Sequence, residues 1–383
     1  MIIPFNKVYF TGKEQEYMLE ALHSGKHCGN HQFCKKVVNL MKEKHGFNEV
    51  FLTPSGTAAL EMGAVLANIK PGDEVILPSY TFSSTVNAVV LFGAIPIFCE
   101  IEQSTMNIDV TKIENLITSK TKMIIPIDYA GVSCEIDEIM QIAEKYNIIV
   151  MQDCAQSYGT YYKDKACGTQ AHISAFSFHE TKNFNAGEGG ALVVNKPEWV
   201  QRAHFIQEKG TDRRLVLKGV KSKYSWVDKG SSYLLSDILA SILLAQLEGE
   251  DKMKLLRSKI TNAYKSLFSI FENQNNLSTF KVPEYIDINH HAYWVIFDSQ
   301  DNAELFMAGL REKNIYAYIG YLPLHSAPKG LEYGYHKNDL PLTEDLGNRI
   351  VRLPFYTELG EVGLDYCIIE MKKQLNKIYN QIC

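Results

Sequence analysis

Seven short apolar runs, "EVFLT", "EVILP", "AIPIFCE", "KMIIPID", "IIVMQD", "ISAFSF" and "GALVVN", lie between residues 49 and 195, most of them separated by segments with helical spacing. None alternates cleanly between apolar and polar residues. Strands buried on both faces have this character, so the repeat predicts a mostly parallel sheet covered by helices. Repeated strand–helix units with right-handed crossovers define an α/β fold. The regularity fades near residue 250. There "DKMKLLRSKITNAYKSLFSIF" predicts a long amphipathic helix, followed by strands at "AYWVIFD" and "IYAYIGY" and helices at "NAELFMAGLREKN" and "DYCIIEMKKQLNKIY". The expected organisation is a large α/β unit over residues 1–249 and a smaller α+β unit over 250–383. Near the start, Thr11 and Glu14 have the spacing of a capping box, and Gly25 can end the helix they open.

Charge excludes some functions. The net charge is −5, with Lys and Arg scattered, so nothing predicts binding to nucleic acid or an anionic membrane. The most apolar stretch, "TVNAVVLFGAIPIF", is broken by Asn87, Gly93 and Pro96 and predicts no membrane span. "MIIPFNKVYF" has no signal-peptide pattern, and the eight cysteines are dispersed. Both features predict a cytoplasmic protein with reduced thiols. His27, Cys28, His31 and Cys34 cluster in "KHCGNHQFC", but no second ligand pair follows at zinc-finger spacing, so the reading is no metal.

In parallel α/β sheets, ligands collect beyond the carboxyl ends of the strands. Three stretches place polar groups there. In "FLTPSGTAALEM", Gly56 permits close backbone approach. Thr57 adds a hydroxyl where a helix N-terminus can hold an anion; a plain N-cap is the alternative. Asp153 ends the apolar run "IIVMQD", where a carboxylate needs a cationic partner or a capping role. In "SFHETKNFNAGEGGAL", Ser177 and Lys182 precede a glycine-rich reversal. A lysine held near strand ends can act as an amine nucleophile once burial lowers its pKa. An anion site, a carboxylate and a lysine together are what pyridoxal 5′-phosphate requires. Phe82, in "PSYTF", either stacks on the cofactor ring or is a core aromatic.

In this order and spacing, "SGTAAL", "PSYTF", "QDCAQSYG" and "SFHETKNFNAGEGGAL" resemble the DegT/StrS family of pyridoxal-phosphate aminotransferases acting on nucleotide sugars. The resemblance runs nearly end to end and implies the aspartate aminotransferase-like fold type I. It implies that Lys182 forms the Schiff base, Asp153 pairs with the pyridinium nitrogen and Gln156 bonds the phenolic oxygen. Gly56, Thr57 and Ser177 would hold the phosphate, and Phe82 would stack. Family members form homodimers with shared sites. An asparagine in a Gly-x-Asn-x-Arg pattern there reaches the partner's phosphate; here Ser232 stands at the asparagine position and Leu234 at the arginine. Glu188, Tyr318, Tyr321 and His325 are candidate sugar contacts, and Lys209, Arg213 and Arg214 candidate diphosphate contacts. For each of these a solvated surface role is equally open. The implied reaction moves the amino group of L-glutamate to C4 of a dTDP-linked 4-keto-6-deoxy sugar, giving the galacto product; amination at C3 is the alternative. A related dehydratase subgroup carries histidine in place of the lysine, which Lys182 argues against. A non-catalytic binding protein would have no use for Lys182 and Asp153 together.

Overall fold

The structure, a computed structural model, describes residues 1–274 and 277–379. All seven apolar runs become strands of one sheet. Their order in space is Glu49–Thr53, Gly190–Val194, Ile173–Ser177, Ile149–Asp153, Thr121–Ile124, Glu74–Pro78 and Ile95–Cys99. Every strand but Gly190–Val194 runs the same way. The exception follows from the glycine-rich reversal, which turns the chain back beside Ile173–Ser177 as an antiparallel neighbour. Apolar side chains on the two faces of the sheet feed two buried clusters, as strands sandwiched between helix layers require. The fold is therefore α/β, with a mostly parallel central sheet.

The helix Gly56–Leu66 lies close against the sheet because Gly63 has no side chain; a Cβ there would collide with the Met151 sulfur. The first helix, Glu14–His23, forms half of the expected box: the Thr11 amide donates to Glu14 Oε1 at 2.7 Å. The Thr11 hydroxyl, with one hydrogen to donate, lies within hydrogen-bond distance of both Glu14 Oε1 and the Ala245 carbonyl. The His27–Cys34 stretch leads into the helix Gln32–His45. Asp237 accepts the Phe33 and Cys34 amides at 3.1 and 2.8 Å, so a carboxylate remote in sequence caps this helix start. Among the described residues, no three His, Cys, Asp or Glu side chains are grouped to hold a metal. None of the described helices is long and apolar enough to cross a membrane.

A second, antiparallel sheet forms from the C-terminal part, in the order Leu277–Thr279, Trp294–Phe297, Ile350–Arg352 and Tyr318–Ile319. The helices Glu250–Glu272 and Gln300–Glu312 pack on it, and Gly360–Ile378 packs against both of these helices. The first residues of the chain join this part. The Ile3 amide donates to the Asn314 carbonyl, and the Tyr316 amide to the Ile3 carbonyl. A reading in chain order placed them with the larger sheet. The strand expected across "IYAYIGY" shortens to Tyr318–Ile319; Ile315 bridges to Ile3 instead, and Gly320 lies against the Tyr80 hydroxyl with no room for a side chain.

Candidate active site

Thr53, Pro78, Asp153 and Ser177 each end a strand of the large sheet, and the cavity lies just beyond. It measures about 390 Å³. Gly190 is the register partner of both Thr53 and Ser177, which brings the turn at Ser55–Gly56 against the end of Ile173–Ser177. A Cβ on Gly190 would stand 2.6 Å from the Gly56 nitrogen, and one on Gly56 would stand 2.7 Å from Ser177 Cβ. Only glycines allow these two backbones so close.

The helix Gly56–Leu66 opens here. Ser55 caps it by accepting from the Ala58 amide at 3.0 Å, and the helical ladder begins with Ala59 N–H to Ser55 O. The Gly56 and Thr57 amides precede that ladder, and both residues line the cavity. The Thr57 hydroxyl meets the Ser84 hydroxyl at 2.8 Å, in the first turn of a second helix, Ser83–Val90. Two helix N-termini and the hydroxyls of Thr57, Ser84 and Ser177 thus converge on one end of the cavity. This arrangement suits a dianion.

Asp153 lies deeper and is buried. Its Oδ2 accepts from the Thr85 hydroxyl at 2.8 Å and its Oδ1 from the Ala155 amide at 3.1 Å. Burial pushes its carboxyl pKa up, while these hydrogen bonds and the Lys182 ammonium pull it back. Lys182 follows the strand in a loop tied by Phe178 N–H to Gly189 O and Lys182 N–H to His179 O. Its neighbour Asn183 is anchored by the Asn289 carbonyl and His291. Burial pushes the Lys182 ammonium down to about 8; Asp153 opposes that shift and Arg352 adds to it. At pH 7 about one amine in ten is then neutral, against a few in ten thousand for an ordinary lysine.

The aromatic ambiguity is resolved by exposure. Phe82 is 57 % exposed on the cavity wall, its ring 6.0 Å from that of Tyr321, so it is not a core residue. Gln156 accepts from the Ala130 amide at 2.7 Å and donates to the Tyr321 hydroxyl at 3.1 Å, leaving it oriented at the cavity edge. Glu188 lines the mouth, 3.7 Å from His179 Nε2.

Six expected residues are not brought to the cavity: Lys209, Arg214, His325, Tyr318, Arg213 and Ser232. Arg214 lines a separate hollow with Glu49 and His204. His325 is fully buried. Its Nδ1 bonds the Ser79 hydroxyl at 2.7 Å and its Nε2 the Glu344 carboxylate at 2.8 Å. It pins the C-terminal part onto the end of Glu74–Pro78 and is no substrate contact. Tyr318 packs edge-on against Phe5 at 5.2 Å, behind the cavity wall. Arg213 is exposed, 3.7 Å from Glu208. Ser232 is exposed and bridges Glu208, outside the cavity of its own chain. Conversely, Phe5, Ser84, Thr85, His179, Thr181 and Arg352 line the cavity without having been foreseen. Arg352 was findable: a charge in the apolar run "RIVRLPF" poses the same question as Asp153.

These residues fit pyridoxal 5′-phosphate. The cradle at Gly56 that a Cβ would fill, the buried carboxylate and the lysine of lowered pKa match its phosphate, ring nitrogen and aldehyde. When bound, the cofactor supplies an electron sink that stabilises negative charge on an adjacent carbon. Fold and site together define an aminotransferase dependent on that cofactor. The chain belongs to the DegT/DnrJ/EryC1/StrS aminotransferase family, whose model matches residues 9–372. It is 32 % identical over 382 residues to the GDP-perosamine synthase of Escherichia coli O157:H7, covering 99 % of each chain. It is 29 % identical to the spore coat polysaccharide biosynthesis protein SpsC of Bacillus subtilis, covering 95 % of this chain and 94 % of SpsC. A solved Streptococcus pneumoniae structure described as a sugar aminotransferase, Spr1654 in its pyridoxal-phosphate form, superposes with a TM-score of 0.90. It is 25 % identical, with 99 % of this chain and 100 % of that one covered. The chain is thus a sugar aminotransferase of this family.

Proposed function

We propose that the protein transfers the amino group of L-glutamate to C4 of dTDP-4-dehydro-6-deoxy-D-glucose, giving dTDP-4-amino-4,6-dideoxy-D-galactose. The observation that carries the amino-transfer part is Lys182, whose ammonium is pushed down to about 8 in the cavity that Asp153 lines. In the cofactor-bound enzyme Gly56, Thr57 and Ser177 hold the phosphate. Phe82 would cover the ring, and Asp153 would favour a positive charge on the ring nitrogen. That charge in turn holds the Asp153 carboxyl ionised against the effect of burial. Lys182, when its amine is free, would accept and return the proton of the substrate carbon, since its lowered pKa lets it both accept and donate near neutral pH. Gln156 and Tyr321 hold their positions through their mutual hydrogen bond. Ser232, on the surface, is the residue offered to a second subunit's phosphate site in a homodimer.

The choice of dTDP and of C4 rests on the segments "TMNID", "YAGVSCEID", "EKGTDR" and "GSSYLLSD", which resemble those of dTDP-4-amino-4,6-dideoxygalactose transaminase. The likeness to GDP-perosamine synthases favours GDP as the second reading of the carrier. One assay separates them. The holoenzyme and glutamate are offered 3-keto and 4-keto sugars on dTDP, GDP and UDP, and product stereochemistry is read by NMR. Turnover of the dTDP 4-keto sugar to the galacto amine is expected. Amination only of GDP sugars, or only at C3, overturns the substrate choice. The wild type is expected to be yellow and to lose that colour to borohydride, which reduces the imine and leaves the cofactor attached through dialysis. A Lys182→Ala variant that is as yellow as the wild type and retains cofactor in the same way overturns the lysine's role.

A further inference from the structure

We propose that Asp128 is a positioning residue for the cofactor's ring nitrogen: an ionised carboxylate behind Asp153 that holds Asp153 and Gln156 in place and adds its charge in favour of a proton on that nitrogen. This rests on the proposed place of Asp153 at the nitrogen and adds the group that acts through it. Asp128 is wholly buried. Ile127 and Asp153 line the cavity, and Asp128 does not. The Asp128 amide donates to the Asp153 carbonyl at 3.1 Å, and the Asp153 amide to the Pro126 carbonyl at 2.9 Å, so the two carboxylates spring from paired stretches of backbone.

Donors surround the Asp128 side chain. Its Oδ1 accepts from the Cys134 amide at 3.0 Å and from Gln152 Nε2 at 3.1 Å; its Oδ2 accepts from the same Gln152 nitrogen at 3.0 Å and from the Ser157 hydroxyl at 2.6 Å. The Gly168 amide donates to Gln152 Oε1 at 3.3 Å, which turns the nitrogen of that side chain toward Asp128. N–H groups cannot accept, so this setting suits the ionised carboxylate. Burial pushes its pKa up, and the bonds from Ser157, Cys134 and Gln152 pull it back. The neighbouring thiols of Cys134, Cys154 and Cys167 are buried and kept protonated. Glu135, on the same loop, bonds the hydroxyls of Tyr162 and Tyr285 instead. Asp128 is therefore the charge of this cluster, and its bonded partners are all neutral dipoles. On the cavity side stand Lys182, Arg352 and the protonated Tyr321 phenol, with His179 and Glu188 at the mouth.

Two effects reach the site. The first is geometric. The Ser157 bond fixes one end of the segment Asp153–Ser157, and the Ala155 amide holds Asp153 at the other. Gln156 lies between and takes the Ala130 amide from the loop that Asp128 opens. Asp128 thus stands where the two loops join. The second effect is electrostatic. Like charges held close make each the stronger base, and the Asp128 charge raises the proton affinity of Asp153. A ring nitrogen bonded to Asp153 shares its proton with that carboxylate, so a further negative charge behind the pair favours the proton's presence. The protonated nitrogen is what makes the ring an electron sink.

The test measures binding to the apoprotein and needs no turnover. Pyridoxal 5′-phosphate is compared with its 1-deaza analogue, which has carbon in place of the ring nitrogen and keeps the aldehyde and phosphate, in wild type, Asp128→Asn and Asp153→Asn. Asp128→Asn is expected to narrow the wild type's preference in Kd for the natural cofactor about tenfold. It is also expected to lower by about one unit the pH at which nitrogen NMR of the bound, labelled cofactor shows the ring losing its proton. Asp153→Asn narrows the preference further. Asp128→Asn combined with Gln152→Glu exchanges carboxylate and amide across one hydrogen bond and is expected to recover most of it. If Asp128→Asn does not fold, Asp128→Ser carries the comparison, since it removes the charge without turning an amide nitrogen toward the donors. Equal weakening of both compounds with the NMR midpoint unmoved shows that Asp128 only holds the loops together, and overturns the inference. An unchanged preference in a folded Asp128 variant overturns it too and leaves the aminotransferase reading standing. An unchanged preference in Asp153→Asn overturns the place of Asp153, and this inference with it. A wild-type apoprotein that binds neither compound overturns the cofactor reading itself.

Discussion

Alanine at position 56 adds one methyl group where the chain has no room for it. The new carbon would stand 2.7 Å from Ser177 Cβ, 3.1 Å from its Oγ and 3.2 Å from its Cα. Carbon atoms pack at about 3.5–4.0 Å, so roughly 0.8 Å or more must be recovered by moving backbone. The two segments that can give are the start of the helix Gly56–Leu66 and the end of the strand Ile173–Ser177, and both line the site. Overpacking of this kind costs about 1–3 kcal/mol. For 383 residues, an unfolding entropy of about 2.1 cal/mol/K per residue turns that into a Tm loss of about 1–4 °C. The effect on cofactor binding is expected to be larger. Displacing the Gly56 and Thr57 amides from a phosphate weakens one or two charged hydrogen bonds, worth about 1.5–3 kcal/mol each, or roughly tenfold to several hundredfold in Kd. The assay is a thermal melt of the apoprotein beside an absorbance titration with pyridoxal 5′-phosphate. Adding Ser177→Gly removes the obstructing Cβ and Oγ and is expected to restore most of the Tm. Cofactor affinity stays low, because the Ser177 hydroxyl is gone as well. A Gly56→Ala protein that melts within 1 °C of wild type and binds cofactor within about threefold would refute the close-approach argument.

Phe82→Ala is expected to change stability by less than about 0.5 kcal/mol, since the ring is 57 % exposed, while weakening cofactor binding about tenfold; a large Tm loss in the melt would return Phe82 to the core. His325→Ala is expected to do the opposite, costing about 2–4 kcal/mol because the buried hydroxyl of Ser79 and carboxylate of Glu344 lose their partner. Chemical denaturation checks the loss, and glutamate half-reaction kinetics should move little at temperatures well below the melt. The rate of cofactor uptake by the apoprotein requires neutral Lys182, so it is expected to rise with pH through about 8. Asp153→Asn removes a group that raises the Lys182 pKa, so the midpoint moves to lower pH; a move to higher pH contradicts the assigned electrostatics. The folded pKa of Lys182 lies below its unfolded value, so its contribution to apoprotein stability is fully present above about 10.5 and is lost as pH falls through about 8. Between those limits the apoprotein melt should therefore weaken toward acid, by less in Lys182→Met.

Much of the site was legible because it obeys local rules. Lys182 and Asp153 stand out as charges at the ends of apolar runs, and Gly56 as a glycine at a helix start. Phe82 was ambiguous because sequence shows that a residue is aromatic but not which side of it is covered. His325 was misplaced for a related reason. Polarity and proximity to "YLPLH" suggested a contact with substrate, and only packing revealed that both ring nitrogens are taken. Strand Ile350–Arg352 is too short to announce itself by period, so the direction of Arg352 was hidden with it.

What sequence alone determined is the large sheet and its chemistry. The apolar runs had to be buried on both faces, which dictated parallel strands, and parallel strands put their polar ends on one edge. What tertiary structure decided is everything that depends on two segments distant in the chain meeting. The Gly56–Ser177 contact, the His325 pin and the arrival of Arg352 from a second sheet are set by how surfaces fit. Periodicity reports on one element at a time, whereas such contacts depend on the shape and register of both partners.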